Sequence, residues 1–271
     1  MIHSMDEIQN RVKGILLGLA VGDKIGGPLR MALQTAESLV QCNGFNVDDI
    51  AGRYLAWWRE EGFDTGPTSD TVFQRVNSGR SFDKAARQLH EETNGYTAGC
   101  NPAHRAAPLA MCANLTDDDL ANAATADSVL THYHPLAGDV SAAVVSLCRA
   151  LVRGHEWSKA LEIARQGRLP LTRAALTDSS ESNLNTGGFA PEVLAAAAHF
   201  VGANSNFSTA ICEAVNFAGP ANYCPVLVGS IGGARWGASS VDDDLISQNK
   251  GLMPRVMESA EILAAGWEKV G

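Results

Sequence analysis

A chain of 271 residues with 45% hydrophobic and 19% charged residues has enough apolar side chains for a sizeable core, which excludes a disordered chain. Its formal net charge of −9 excludes a broad nucleic-acid-binding face, which needs clustered Lys and Arg; the densest basic run, VRGHEWSKA, is thin. Net charge leaves room for an anionic ligand held locally by a helix N-terminus or one or two arginines.

Helical periodicity dominates the predicted elements. Residues 7–23 place Ile8, Val12, Ile15, Leu16, Leu19 and Val21 largely on one broad face. Helices are predicted next over 48–62, over 81–94 with Ser81 as a cap, and over 116–132, where Thr116 precedes three aspartates that suit a helix N-terminus. The runs 135–154, 157–167, 191–204, 207–219, 224–238 and 254–270 follow. Strand-like alternation bounded by tight turns is scarce. Ala- and Gly-rich stretches such as LAAAAHF and GSIGGARWG let helices approach closely. With no fixed-period repeat and no linker, the reading is one all-α domain over 1–271.

Six cysteines (42, 100, 112, 148, 212 and 224) form no CxxC pair, and MIHSMDEIQNRVKG lacks the apolar run of a leader. No uninterrupted apolar stretch is long enough to span a membrane. Reduced thiols in a cytoplasmic protein are the expectation.

Between the helices lie polar, Gly-rich corners: GDKIGGPLR (22–30), GPTSDT (66–71), AGCNPAHRAAP (98–108), THYHPLAG (131–138), NTGGFAPE (185–192) and FAGPANYCP (217–225). Each sits at a helix end, where unpaired backbone N–H or C=O groups can meet a ligand, so the six form a plausible shared pocket.

These corners come in a recognisable order. KGILLGLAVGDKIGGPLR, PTSDTVF, NPAHRAAPLAM, THYHPLAGDVSAAVVSLCRALVRG, NTGGFAPEVLAAAAHF and VNFAGPANYCPVLVGSIGGARWG together resemble the ADP-ribosylglycohydrolase family over nearly the whole chain. The resemblance implies a compact, single-domain orthogonal helical bundle and a hydrolase of ribosyl bonds. It also implies two Mg²⁺ ions, held by a Thr-Asp-Asp motif and a later Asp-x-Asp-Thr motif. Here the first motif reads Thr68, Ser69, Asp70, and the last reads Pro220, Ala221, Asn222, Tyr223. Of four expected carboxylates only Asp70 stands, whereas hard divalent cations need several oxygen ligands. No cofactor is therefore expected, or at most one weak Mg²⁺ at Thr68, Ser69 and Asp70. Arg30 occupies the place of a family acid, and Lys24 follows the retained Asp23. Their positive charge can replace lost metal charge near an anion, or pair with nearby acids.

The remaining chemistry reads as follows. Asp70, in the first turn of a helix, can orient water or favour an oxocarbenium-like state, or simply cap the helix. Asp23, His104 and His132 are candidate proton carriers. Arg105 can fork onto a carboxylate or phosphate, or clamp loops through backbone carbonyls. Asn101 and His134 complete two of the corners, and two histidines at i and i+2 are a weak metal signal. Thr186, Gly187 and Gly188 can cradle phosphate or ribose oxygens, with Phe189 stacking on a base. Tyr223 re-lines the place where the family approaches a metal, and Asn222 keeps hydrogen-bonding shape without charge. Two functions stay open: a metal-poor hydrolase cleaving an N- or O-ribosyl bond of an ADP-ribosyl adduct or nucleoside, and a catalytically inactive binder of an ADP-ribose-like ligand or protein partner. Either takes a small or protein-linked riboside; neither sets an oligomeric state.

Overall fold

Glycines at four-residue spacing decide where the site forms. In the computed structural model, which describes residues 4–177, 184–245 and 249–269, α1 (Met5–Gly22) carries Gly14, Gly18 and Gly22 on one face. They meet Gly233, Gly229 and Pro225 of the last-motif helix (Cys224–Trp236), running antiparallel. A Cβ at Gly14, Gly18, Gly229 or Gly233 would overlap a carbonyl oxygen of the opposing helix, so only glycine allows this backbone-on-backbone packing. The C-terminus of α1, with Asp23, is thereby laid beside residues 222–225.

Along the chain follow α2 (Gly27–Cys42), α3 (Val47–Glu60), α4 (Pro67–Asn77), α5 (Phe82–Glu92), α6 (Asn101–Ala106) and α7 (Asp117–Val129). Then come α8 (Pro135–Val152), α9 (Trp157–Arg165), α10 (Pro170–Ala175), α11 (Ala190–Ala203), α12 (Phe207–Ala218), α13 (Cys224–Trp236) and α14 (Met253–Ala265). Among the described residues the only strand-like pairing is a single antiparallel bridge between Gly99 and Phe189, so the fold is all-α. Ser4, Asn46, Ser81, Thr116 and Asn206 cap α1, α3, α5, α7 and α12 through side-chain oxygens, as their residue types favour.

The sequence reading left α2, α6 and α10 out. α2 begins inside the Gly-Pro corner GGPLR, where Pro28 sits in its first turn, so a helix start looks like a loop. It is nevertheless a core element, with Leu29, Met31, Ala32, Leu33, Ala36 and Leu39 buried. α8, though interrupted by Asp139 and Arg149, has the length and mean composition to cross a membrane, but 83% of it is buried inside the protein. It is a core helix. Its buried Arg149 donates to the carbonyls of Leu109, Ala110, Cys112 and Leu115 and pairs with Asp117 at 3.0 Å, so the charge anchors an irregular segment rather than facing lipid. All six cysteines are free thiols, four of them buried.

Candidate ribosyl-binding corner

The corner is built on Asp23, the C-cap of α1, which is 1% exposed. Its Oδ1 accepts from the N–H of Gly26 (2.7 Å) and Ile25 (3.1 Å), and its Oδ2 accepts from the N–H of Leu29 (2.7 Å). The turn 24–29 is thus wrapped around one carboxylate. Asn222 closes it: Nδ2 donates to Asp23 Oδ1 at 2.7 Å, and Oδ1 accepts from the Lys24 N–H at 2.9 Å. Asn249 adds a strap, donating from Nδ2 to the carbonyls of Ala20 and Asp23. Lys24 reaches sideways to the Gly219 carbonyl (2.6 Å) and Arg30 pairs with Glu61 (2.8 Å) while lying over the Phe63 ring, so both cations have protein partners.

Asp70 stands in the first turn of α4, where Gly66 at φ +74° and Pro67 start the helix. Its Oδ1 accepts from Trp58 Nε1 (2.8 Å) and its Oδ2 from Gln74 Nε2 (2.6 Å). Ser69 is buried and leans on Asn101, whose amide donates to the Thr65 carbonyl. Thr68 is partly exposed beside them.

Behind this corner runs a buried polar chain. Tyr54 donates to Asp127, which accepts from Arg105 Nε at 2.9 Å; Arg105 also donates to the Asp127 carbonyl and to Thr131 Oγ1. The Arg105 oxygen partner Thr131 is then free to donate its hydroxyl proton to His132 Nδ1 (2.9 Å), which leaves the His132 proton on Nε2, facing Gly99. Burial, with Arg105 and His104 nearby, pushes His132 down to about 3. Arg105 is a clamp within the core, and its guanidinium does not reach the surface. His104 Nε2 donates to the Tyr223 carbonyl at 3.0 Å, and burial pushes it down to about 4, so both histidines are neutral at pH 7. His134 serves as the N-cap of α8, accepting from the Leu136 N–H, and its ring packs on His90.

The exposed face is aromatic. The Tyr223 ring lies against Gly188, where a Cβ would come within 3.2 Å of it. Tyr223 is 42% and Phe189 37% exposed. Gly188 and Ala190 are fixed by backbone bonds to Cys100 and Ala98, and Asn185 accepts from the Gly187 N–H. Thr186 is exposed on the same loop. A separate pocket of about 390 Å³ opens beside Lys24 towards Ile211, Cys212 and Asn216 of α12.

The donor set does not fit a pair of Mg²⁺ ions. Pro220 and Ala221 have no side-chain oxygen, Asn222 turns an N–H towards Asp23, and the oxygens of Asp23 and Asp70 already hold protein N–H groups. Among the described residues no group of three or more His, Cys, Asp or Glu side chains could hold a metal ion.

Residues 29–270 match the family model described as ADP-ribosylglycohydrolase. The chain belongs to that family. Among curated proteins, ADP-ribosylarginine hydrolase Tri1 of Serratia proteamaculans (strain 568) is 24% identical over 90% of this chain and 77% of that one. Among solved structures, an ADP-ribosylglycohydrolase-related protein complex superposes with a TM-score of 0.79 at 24% identity, covering 97% of this chain and 99% of the other. The compact helical bundle expected of an ADP-ribosylglycohydrolase is therefore the fold observed, and its metal-binding motifs are degenerate.

Sequence reasoning missed several residues of this family member's corner. Trp58, Gln74, Asn249 and Asp127 act through tertiary contacts that no local pattern announces. Asp64 is another: it holds φ +52°, and its carboxyl is pushed up by burial and by Asp23, with the Gly27 N–H holding it down in part. A carboxylate four residues ahead of a degenerate motif was the available signal.

Proposed function

We propose that this ADP-ribosylglycohydrolase-family protein binds a ribosyl ligand of the ADP-ribose type without hydrolysing it by a two-metal route. One observation carries the reading: the uncharged Asn222 amide donates to the Asp23 carboxylate and accepts from the Lys24 N–H, closing the corner where two facing carboxylates would require a cation between them. The exposed Tyr223 and Phe189 rings beside Gly187 and Gly188 support stacking on a base or ribose. Small riboside or protein-linked forms both fit an open aromatic face, and the free thiols favour a cytoplasmic setting.

The test is a panel of ADP-ribosyl adducts and nucleosides, with Mg²⁺ or with EDTA, scored for binding and for released ribose or ADP-ribose. Binding that is equal in both conditions, weakened about tenfold by Tyr223→Ala and accompanied by no turnover, is the expected result, since one stacking ring contributes roughly 1–3 kcal/mol. Turnover that requires Mg²⁺ would sink the reading.

A second reading, a metal-poor glycohydrolase, is favoured by Asp64. A carboxyl whose proton is held more tightly than usual beside the corner is what a general acid needs. Turnover in EDTA that Asp64→Asn abolishes would establish it.

A further inference from the structure

His132 is 3% exposed, yet only one side of its ring is paired. Nδ1 lies 2.9 Å from Thr131 Oγ1, whereas Nε2 makes no hydrogen bond among the described residues. Nε2 is not one of the fully enclosed polar atoms left without a partner, so the little surface His132 keeps includes this nitrogen. It faces the backbone of Gly99, where an added Cβ would come within 3.1 Å of Nε2 and 4.0 Å of the Gly188 carbonyl. Gly99 is bridged to Phe189, and Gly188 carries the Tyr223 ring. The open nitrogen therefore lies beside the two loop segments that hold the aromatic face. Buried polar groups are nearly always paired, so a ring this enclosed with one open nitrogen at a ligand corner points to a partner from outside.

What that partner can be depends on where the ring proton sits. Arg105, held on Asp127 through Nε and Nη2, donates from Nη1 to Thr131 Oγ1 at 2.8 Å. The Thr131 hydroxyl has one proton, and the acceptor within reach of it among the described residues is His132 Nδ1. The proton of the neutral ring is then on Nε2. Burial, with the Arg105 charge nearby, keeps the ring uncharged at pH 7. Asp127 also accepts from the Tyr54 hydroxyl at 2.8 Å, which lies 2.6 Å from Thr35 Oγ1, so the far end of the chain is fixed as well.

We propose that Thr131, oriented by Arg105 and Asp127, is a positioning residue that presents His132 Nε2–H as a single neutral donor to a ligand oxygen in the corner. It rests on the ribosyl reading above and adds a selection rule. A fixed, uncharged N–H takes a hydroxyl, ether or carbonyl oxygen, and it holds no acidic proton to give at pH 7. His132 is thus a recognition group and not the proton carrier that its residue type suggests.

The experiment is ¹⁵N spectroscopy of the histidine rings, with His132 assigned by deletion in His132→Gln, followed by titration with ADP-ribose. In the parent, His132 shows a protonated Nε2 and a bare, hydrogen-bonded Nδ1, unchanged between about pH 8 and about pH 5. ADP-ribose moves the Nε2–H resonance saturably. Thr131→Val moves Nδ1 to the position of a ring nitrogen without a hydrogen bond and weakens ADP-ribose about three- to tenfold, the worth of one neutral hydrogen bond. Thr131→Ser, which keeps the hydroxyl, restores both. A proton on Nδ1 in the parent overturns the proposal, and so does ADP-ribose that binds without moving Nε2–H; neither result needs a variant to fold. Equal affinity in a folded Thr131→Val overturns it too. These three outcomes leave the ribosyl reading standing, whereas a parent that does not bind ADP-ribose at all sinks both.

Discussion

Asn222 is the residue on which the corner turns. Its amide donates to one carboxylate and accepts from one backbone N–H, and an aspartate there keeps the acceptor while losing the donor. Asn222→Asp sets two carboxylates at about hydrogen-bond distance, and the variant is expected to lose about 2–3 kcal/mol at neutral pH. The new carboxyl binds its proton more tightly folded than unfolded, so the deficit against the parent shrinks as pH falls; urea melts at two pH values check it. A deficit independent of pH would contradict the direct contact. Asp64 makes the opposite case. Its carboxyl is pushed up in the folded state, so its charge opposes folding above that range and ceases to as the group protonates. Asparagine tolerates the left-handed backbone at this position. Asp64→Asn therefore stabilises the protein at pH 7 by about 0.5 kcal/mol after solvent screening, and the gain vanishes in acid; thermal melts read both.

At the scale of elements, the contact of α1 with α13 does most to place the site. Gly18→Ala removes a glycine from a helix, which alone favours folding, but the added methyl meets the Gly229 carbonyl and the helices must part. A net loss of about 2–3 kcal/mol is expected from denaturant unfolding, with weakened Asp23–Asn222 closure. Gly52→Ala, on the exposed face of α3 with open space around it, gains about 0.5–1 kcal/mol in the same assay. If both substitutions behave alike, the close approach is not what holds the helices. The small-residue run of α13, GSIGGARWG, was legible in the amino-acid sequence, and so were most helices with an apolar stripe; the matching Gly14, Gly18 and Gly22 of α1 lay hidden within its hydrophobic run. α2 was not legible, because its start is written in glycine and proline and its hydrophobic face becomes evident only against α6 and α14. Asp23, Asp70, Asn222 and Tyr223 were legible as corner residues. Their partners were not: Trp58 bonds Asp70 from another helix, and Asn249 reaches Asp23 from more than two hundred residues away.

The whole molecule has a pH signature built from its buried histidines. His104 and His132 are pushed down to about 4 and about 3, below the ordinary unfolded value near 6.5. A histidine depressed in the folded state leaves stability intact above about pH 6.5 and withdraws it as pH falls towards the folded value. The expected slope is about 1.4 kcal/mol per pH unit for each histidine between roughly pH 6.5 and 4. His104→Gln, whose Nε2 can still donate to the Tyr223 carbonyl, should flatten the curve by one such contribution; an unchanged slope would mean that His104 titrates normally. Inside the molecule, charge is thus held as the buried Arg105–Asp127 pair, while His104 and His132 stay neutral behind the aromatic face.

The closure of the Asp23–Asn222 corner is tested most directly by calorimetric titration of Mg²⁺ into the protein saturated with ADP-ribose. The account predicts no saturable heat, because Asp23 and Asp70 already hold protein N–H groups and Asn222 presents a donor. Saturable binding of one or two Mg²⁺ ions, lost in Asp70→Asn, would contradict it and return the corner to metal chemistry.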